Sequence, residues 1–453
     1  MIQEPPAGLT KQADDAEDEA KSLRYAWYVV AVLTLVYVFS FVDRQIFSLL
    51  VGPLRRDLHI GDTQVSLLMG FSFALFYTFF GIPIGRLTDI HSRPLIIALG
   101  LVLWSVFTAS CGLTQTFGVM LLLRMGVGVG EAALSPAAYS LITDYFPRHR
   151  LGTAISVYSM GIYLGSGLSY FLGSMVVRYA STKATWDLPL VGATHPWQLI
   201  FFAVGLPGIA LAPLLFSIRE PGKHRTGHQH AIPVKQVFAY ILENRRTVLF
   251  HNIGFGLLAL SAYASSAWIP EFYRRRFHWE IGTIGLVYGS IVAVFGCLGI
   301  FGAGRLADYL RSRGRANATL FLSAMIGVVW IPVNCLLYLA PSARWATFWL
   351  VPGVLLAAAP FGIAPAAIQQ MMPAAMRGQA SAVYLFVINI IGLGVGPTAV
   401  AACTQYFFGR DDSVQYSLAI VTSLACALAA VLHYAALKPF LGSLERLRVW
   451  NEG

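Results

Sequence analysis

The sequence has little charge for its length. Asp, Glu, Lys and Arg make up 12% of its 453 residues, hydrophobic residues make up 57%, and the mean hydropathy is +0.64. A soluble globular protein carries about twice that share of charged residues. The composition therefore excludes a soluble globular protein and predicts an integral membrane protein.

The sequence also lacks the patterns of a disulfide framework, a metal site or a hydrolase. Its five cysteines all lie in apolar segments without paired spacing, which predicts small core residues. His224, His228 and His230 have no Cys or carboxylate at ligand spacing, so we interpret them as part of a solvated linker. No segment end carries a Ser nucleophile elbow or a paired His and Asp. We expect no metal and no enzyme activity, and a lipid-modifying membrane enzyme is the weaker alternative.

Long apolar segments are abundant instead. Twelve of them reach the roughly 20 residues that an α-helix needs to cross a hydrocarbon core of about 30 Å, and none alternates as a barrel strand does. They lie at 27–50, 65–84, 95–113, 117–142, 152–177, 198–218, 247–269, 282–303, 317–340, 345–369, 378–402 and 414–437. The sequence therefore predicts an all-α integral membrane protein with twelve transmembrane helices.

Two short motifs repeat at nearly the same offset. Residues 85–89, Gly-Arg-Leu-Thr-Asp, return as Gly-Arg-Leu-Ala-Asp at 304–308. Residues 152–158 share Gly, Ala, Val and Tyr with residues 378–384 at equivalent positions. Because the two copies of each motif lie at the same end of equivalent apolar segments, we expect two parallel, pseudo-symmetric six-helix bundles.

The predicted domains follow from these boundaries. They are a disordered tail (1–20), the first bundle (21–218), a linker with a short amphipathic helix at 233–244 (219–246), the second bundle (247–438) and a second tail (439–453).

The basic residues predict the orientation of the chain. Of the 32 Lys and Arg residues, 21 fall on the face that carries both termini, nine fall on the other, and two lie inside spans. Positive charge collects on the cytoplasmic side, so both termini are expected there. Contact with anionic lipid headgroups explains the net charge of +10, and no nucleic-acid partner is expected. The only glycosylation-type triplet, at 317–319, lies on the cytoplasmic side, which favours a bacterial inner membrane protein. We expect a monomer.

Four charged residues lie inside the predicted spans, all in the first half: Asp43, Arg44, Arg124 and Glu131. Burying an ionised group in a bilayer costs about 3 kcal/mol even on the mildest scale. Asp43 and Arg44 diverge by about 100° around helix one, so each is expected to face a partner on helix four. The four charges form either a self-neutralising structural network or a proton and anion site. We favour the second interpretation, because Ser, Thr and Asn fix helix packing at lower cost.

The repeated loops predict contacts between the halves. Gly85 allows a short turn, and the Asp89 carboxylate is placed to meet the positive amino end of helix eleven, a contact worth about 0.3–1 kcal/mol. By the repeat, Asp308 is placed to meet the amino end of helix five. We call these two contacts the latches, and we expect an ion pair between Arg93 and Asp144 to complete the first. Topology alone explains the arginines in these loops but not the aspartates.

These motifs resemble the major facilitator superfamily of transporters. The resemblance rests on Gly-x₃-Asp-x₃-Arg at 85–93 and on Arg-x₃-Gly-x-Gly at 124–130. More narrowly, Phe-Val-Asp-Arg at 41–44 and Gly-Val-Gly-Glu-Ala at 128–132 resemble the Spinster branch, whose animal members carry sphingosine-1-phosphate or lysophospholipids. The Asp-Arg pair alone also occurs in organic-anion symporters.

Together with the four buried charges, the resemblance implies a secondary transporter driven by a proton gradient and working by alternating access. Its substrate is expected to be an amphiphilic anion. Arg44 and Arg124 are the candidates to bind the anionic head, and Asp43 and Glu131 are the candidates to carry the proton. Candidates to bind an acyl tail are the aromatic residues Phe295, Trp330, Phe361, Tyr384 and Phe386. The alternatives are a proton-coupled carrier of a small organic anion or sugar on the same fold, and a receptor that binds without translocating.

Overall fold

The structure, a computed structural model, describes residues 7–189, 191–221, 234–373 and 376–452. Its α-helices are α1 (Ala7–Ile46), α2 (Val51–Leu58), α3 (Asp62–Ser66), α4 (Ser72–Ile90), α5 (Arg93–Cys111), α6 (Phe117–Glu131), α7 (Leu134–Tyr145), α8 (Arg148–Ala180), α9 (Pro196–Leu215), α10 (Val234–Glu243), α11 (Arg245–Phe277), α12 (Ile281–Ser312), α13 (Ala318–Tyr338), α14 (Ala343–Met371), α15 (Arg377–Ile388), α16 (Gly396–Ala402) and α17 (Val414–Glu452). The shorter helical segments are 3₁₀ turns at Phe47–Leu49 and Asp411–Ser413, and π segments at Leu67–Phe71, Asn389–Val395 and Cys403–Phe408.

Twelve helical segments of the described chain are long and apolar enough to cross a membrane, which confirms the predicted number. They are TM1 in α1, TM2 in α3 and α4, TM3 in α5, TM4 in α6 and α7, TM5 in α8, TM6 in α9, TM7 in α11, TM8 in α12, TM9 in α13, TM10 in α14, TM11 in α15 and α16, and TM12 in α17. TM1–TM6 form the first bundle and TM7–TM12 the second. A two-stranded antiparallel hairpin, β1 (Trp186–Leu188) and β2 (Gly192–Thr194), departs from the predicted all-helical content between TM5 and TM6.

The two ends of the bundles are named here by what they carry. The hairpin face carries β1 and β2, and the linker face carries α10 and the connection between the two halves. The linker joins the end of TM6 to the start of TM7. Six helices precede it and six follow it, so TM1 begins and TM12 ends at the linker face as well.

The two halves pack together toward the hairpin face. A Cβ atom on Gly70 of TM2 would overlap the carbonyl oxygen of Leu393 in TM11, and a Cβ on Gly289 of TM8 would lie 2.6 Å from the carbonyl oxygen of Gly167 in TM5. Glycine at these positions permits close helix contact. A buried apolar cluster continues across the halves there, including Trp197 of TM6 and Trp268 of TM7.

At the linker face the halves are apart. A Cβ atom on Gly85 of TM2, Gly304 of TM8 or Gly378 of TM11 would meet no atom within 4 Å. Leu87 and Leu306, beside two of these glycines, are 43% and 45% exposed. The structure is therefore closed at the hairpin face and open at the linker face.

The ends of the chain differ from the predicted tails. Helix α1 begins at Ala7, inside the segment predicted to be disordered, and the many Ala, Glu and Lys residues of 7–22 are strong helix formers. Helix α17 continues through the predicted second tail to Glu452. It does so because Phe440 and Ser443 are buried, and the Ser443 hydroxyl lies 2.8 Å from the Thr247 hydroxyl at the start of TM7.

The predicted linker is partly described. Helix α10 (Val234–Glu243) occupies the segment where the sequence predicts a short amphipathic helix. It buries Val237 and Tyr240 and exposes Phe238 and Leu242. The three linker histidines lie outside the described residues.

Candidate functional site

Two ion pairs join TM1 to TM4, as the sequence predicts. The guanidinium of Arg44 contacts Oε2 of Glu131 through Nε at 2.7 Å and through Nη2 at 2.6 Å. Nη1 of Arg124 lies 3.4 Å from Oδ1 of Asp43. Asp43 and Arg44 are neighbours in sequence and face different partners, because consecutive helical residues point in different directions.

Hydroxyl groups hold both carboxylates. Ser40 Oγ donates a hydrogen bond of 2.5 Å to Oε2 of Glu131, and Thr108 Oγ1 donates one to Oδ2 of Asp43. Oε1 of Glu131 and Nη2 of Arg124 are buried without a hydrogen-bond partner in the described structure. A purely structural network is expected to satisfy all its members, since an unmatched buried polar group is costly. The pairing of this network is therefore incomplete in the described conformation.

Arg44 and Arg124 differ in how far their side chains are exposed. Arg124 is fully buried, with its guanidinium 4.3 Å from the centre of the Phe47 ring and its Nε donating to the carbonyl oxygen of Leu68. The side chain of Arg44 is 13% exposed, and its guanidinium lies 4.5 Å from the centre of the Phe73 ring. Aromatic faces stabilise both cations.

Two adjoining cavities lie between the halves. The empty space in the larger is about 680 Å³ and in the smaller about 440 Å³, and both values include space that is open to solvent. They share Phe41, Gln45, Tyr263 and Ser266 as lining residues. No charged side chain of the described chain lines the larger cavity, and Arg44 is the charged side chain that lines the smaller one.

Some of the predicted binding residues line these cavities and others do not. Trp330 and Phe361 line the larger cavity, and Arg44 lines the smaller. Arg124 lines neither cavity, because it is fully buried beside the Phe47 ring, and its role in binding the anion stays a prediction.

Three predicted tail-binding residues line neither cavity. Phe295 packs against the apolar cluster between the halves. Tyr384 is buried, with its ring centre 5.5 Å from that of His251 in TM7. Phe386 is 45% exposed outside both linings. The sequence shows that these residues lie on helices but not which helix face turns toward the other half.

Most of the neutral polar residues of the lining were not singled out from the sequence. They are Gln45, Tyr163, Ser166, Tyr263, Ser265, Ser266, Tyr288 and Tyr338, and Asn334 lines the cavity with them. Gln45 was within reach of sequence reasoning because it follows Asp43 and Arg44 directly. Tyrosine and serine are common in transmembrane helices, so their presence in the sequence does not indicate which of them line a cavity.

The latch residues are in different situations. Arg93 and Asp144 form the predicted ion pair, at 2.6 Å, and Glu220 adds an unpredicted second partner for Arg93 at 2.7 Å. Asp308 is exposed and contacts Arg311 of its own helix, away from TM5. The side chain of Asp89 lies outside the described residues. The latches remain a prediction for a conformation in which the linker face closes.

A second group of charges, on the hairpin face, connects the two halves. Asp62 of TM2 holds Arg275 of TM7 through two hydrogen bonds of 2.7 and 2.8 Å. Arg55 contacts Asp411, at the start of the TM12 segment, at 2.6 Å. Glu271 is buried and holds Arg275 at 2.7 Å. We call these five residues the hairpin-face network.

The sequence analysis missed this network and is wrong that no span of the second half holds an acid. It ends the seventh span at residue 269, whereas TM7 continues to Phe277 and includes Glu271. The sequence analysis did not single out these charges because they lie at the ends of apolar segments, where ionisable residues are common.

Comparison with known proteins identifies the family of this architecture. Residues 33–397 match the Major Facilitator Superfamily. The chain belongs to this superfamily. Its members are transporters, so the protein is an integral membrane transporter.

The superfamily members that are similar to this chain are named for different transport activities. An MFS-type efflux pump of Mycolicibacterium smegmatis is 27% identical over 83% of this chain and 84% of its own length. Protein spinster of Drosophila melanogaster is 28% identical over 64% of this chain, and the match spans 47% of that protein. A probable L-galactonate transporter of Escherichia coli is 25% identical over 69% of this chain and 67% of its own.

Among solved superfamily structures, a bacterial homologue of the human lysosomal transporter Spinster, in an inward-facing and unoccupied conformation, matches with a TM-score of 0.77 and 25% identity. The match covers 92% of this chain and 98% of that one. The resemblance to Spinster proteins that the sequence predicts is thus confirmed.

Proposed function

We propose that the protein is a proton-coupled secondary transporter that moves an amphiphilic anion by alternating access. One observation carries this proposal. Arg44, the charged side chain at the wall of the cavities, is held by a buried carboxylate, Glu131, that has a free oxygen.

The ion pair links the proton to the anion. An ionised Glu131 competes with a substrate anion for the Arg44 guanidinium. Protonation of Glu131 removes that competition, so proton binding and anion binding favour each other. Asp43 and Arg124 form the second, more deeply buried pair, and the proton on Glu131 changes the charge that this pair experiences.

The lining of the larger cavity favours an amphiphilic substrate. It carries no charged side chain among the described residues and includes Trp330, Phe361, Leu337 and Val354. Such a surface gains from contact with an apolar tail, while Arg44 supplies a planar set of donors for a phosphate or carboxylate.

A small organic anion is the second candidate substrate. The tyrosine, serine and amide groups of the lining favour it, and so does the resemblance to the L-galactonate transporter. For either substrate, Arg44 would bind the anionic group and Glu131 would carry the proton.

The proposed topology places the linker face in the cytoplasm of a bacterium, with both termini there and the protein in the inner membrane as a monomer. The excess of Lys and Arg on that side supports this orientation. In this topology the structure corresponds to an inward-open state.

Flux in proteoliposomes tests the proposal. Lysophospholipids, sphingoid phosphates, alkyl phosphates and small organic anions are offered with and without a pH gradient. We expect transport of at least one long-chain anion, stimulated by the gradient and lost in Arg44→Ala. Arg56→Ala is the matched control, because Arg56 is an exposed arginine on the hairpin face. No gradient-dependent flux of any anion would contradict the proposal, and flux of small anions alone would favour the second candidate.

A further inference from the structure

A cluster of neutral hydrogen bonds joins the two halves beside the cavities. The hydroxyl of Tyr170, in TM5, lies 2.8 Å from the carbonyl oxygen of Ser266 in TM7 and 3.0 Å from its Oγ. The Ser266 hydroxyl donates to Oε1 of Gln45, in TM1, at 3.1 Å. Because TM1 and TM5 belong to the first half and TM7 belongs to the second, each of these contacts crosses between the halves.

The sequence of TM7 explains why the Ser266 carbonyl accepts a hydrogen bond from the other half. Within an α-helix this oxygen accepts from the backbone N–H four residues later, which is position 270. That residue is Pro270, inside the helix, and proline has no N–H. The Tyr170 hydroxyl supplies the missing donor, so contact between the halves satisfies a carbonyl that the helix itself leaves free.

This cluster is separate from the hairpin-face network. Ser266 and Arg275 are nine residues apart on TM7, which corresponds to about 13.5 Å along the helix. Tyr170 is fully buried, and its ring centre lies 4.5 Å from that of Tyr288 in TM8. The halves are therefore held together at two depths, by ion pairs nearer the hairpin face and by neutral hydrogen bonds beside the cavities.

The cavities reach this cluster. Gln45 and Ser266 line both cavities and are partly exposed, and Arg44 lines the smaller cavity with them. An anion bound at Arg44 therefore lies in the same cavity as the Ser266 hydroxyl. An ionised oxygen accepts a hydrogen bond that is roughly twice as strong as one to a neutral oxygen such as Oε1 of Gln45. Such an anion competes with Gln45 for the Ser266 hydroxyl.

We propose that Tyr170, Ser266 and Gln45 form an inner gate, and that the transported anion loosens this gate by taking the Ser266 hydroxyl from Gln45. This inference rests on the proposed function, in which Arg44 binds the anion. Tyr170 is a positioning residue in this gate, because it holds TM7 but lines neither cavity. Substrate binding is then linked to opening of the hairpin face, since the anion breaks a contact that holds the halves together.

Distances between spin labels test the inner gate in the full-length protein. Labels at Ser181 and Arg344, exposed residues on the hairpin face of the first and second half, should separate when that face opens. Tyr170→Phe keeps the ring and removes the hydroxyl, so the ratio of open to closed protein should rise about tenfold. Tyr163→Phe is the matched control and should keep the wild-type ratio. Tyr163 lies two turns earlier on TM5 and lines the larger cavity, and it makes no hydrogen bond to TM7 within the part of the chain that the structure describes.

Decanesulfonate serves as the anion, and its binding is measured by calorimetry in the same detergent. In the wild type it should raise the ratio of open to closed protein about fivefold, the value of one hydrogen bond between the halves. Ser266→Ala removes the hydroxyl for which the anion and Gln45 compete but keeps the backbone carbonyl. This variant should be more open without the anion, and the anion should change its ratio by about twofold or less. Tyr170→Phe keeps the bond between Ser266 and Gln45, so it should respond to the anion as the wild type does.

The outcomes separate this inference from the proposed function. A wild-type ratio in Tyr170→Phe would overturn the inner gate, and a full response to the anion in Ser266→Ala would overturn its release through Ser266. Binding of decanesulfonate to the wild type without any change in the label distances would overturn the inference and leave the proposed function intact. No binding of decanesulfonate to the wild type, or equal binding to Arg44→Ala, would overturn the inference and the proposed function together.

Discussion

Removal of the Asp62 carboxylate should shift the protein toward a conformation that is open at the hairpin face. In Asp62→Ala, Arg275 loses the two hydrogen bonds that tie TM7 to TM2, and Arg55 loses a contact at 3.3 Å. The two hydrogen bonds to Arg275 join opposite halves, so they stabilise the state in which the halves meet at that face.

The structure sets the size of the effect. Asp62 and Arg275 have side chains that are 1% and 6% exposed, and breaking a buried pair by removing one partner costs about 3–5 kcal/mol. Glu271 still holds Arg275 in the variant, so the low end applies. About 3 kcal/mol corresponds to a shift of about a hundredfold in the equilibrium between the two conformations.

Distances between spin labels on the hairpin face measure this shift. Labels at Ser181 of the first half and Arg344 of the second, both exposed, should report a larger population at long distance in Asp62→Ala. Asp412→Ala is the matched control, because Asp412 is an exposed acid on the same face that pairs with Arg410 of its own half. Equal distance distributions in Asp62→Ala and the wild type would refute the reasoning.

Three further predictions concern stability, packing and the tail. Arg124→Leu leaves Asp43 buried without its cation and should lower the free energy of unfolding by about 3–5 kcal/mol. Thermal unfolding of the detergent-solubilised protein measures this change. A change within experimental error would show that this ion pair does not stabilise the fold. Gly70→Val should open the hairpin face in the same label experiment because its side chain overlaps the Leu393 carbonyl, and an unchanged distance would contradict the close packing. The binding free energy should become more favourable by up to about 0.8 kcal/mol for each methylene added to the substrate tail. Trp330→Ala should reduce this gain, because Trp330 lines the larger cavity. Equal affinity for short and long chains would refute binding of the tail in this cavity.

The sequence predicts the spans and the buried charges because both are strong local signals. Long apolar runs have few solutions other than membrane helices, and Asp43, Arg44, Arg124 and Glu131 stand out against them. That Asp43 and Arg44 face different partners on TM4 also follows from helix geometry, since neighbours on TM1 point in different directions.

The features that the sequence does not reveal depend on how one helix is rotated against another. Trp330 lines the larger cavity, whereas Tyr384, an equally plausible aromatic residue, faces TM7. The hairpin-face network requires Asp62 and Arg275, 213 residues apart, to be brought together by the contact between the halves.

The anion affinity of Glu131→Gln tests the link between Arg44 and Glu131 most directly. A long-chain alkanesulfonate serves as the probe because it stays ionised, and its affinity is measured by calorimetry in detergent at one fixed pH. Glu131→Gln removes the carboxylate that contacts the Arg44 guanidinium, so the variant should bind the sulfonate more tightly than the wild type does. In an Arg44→Ala background the same substitution should bring no gain in affinity. A Glu131→Gln protein that binds the sulfonate no more tightly than the wild type would contradict the account.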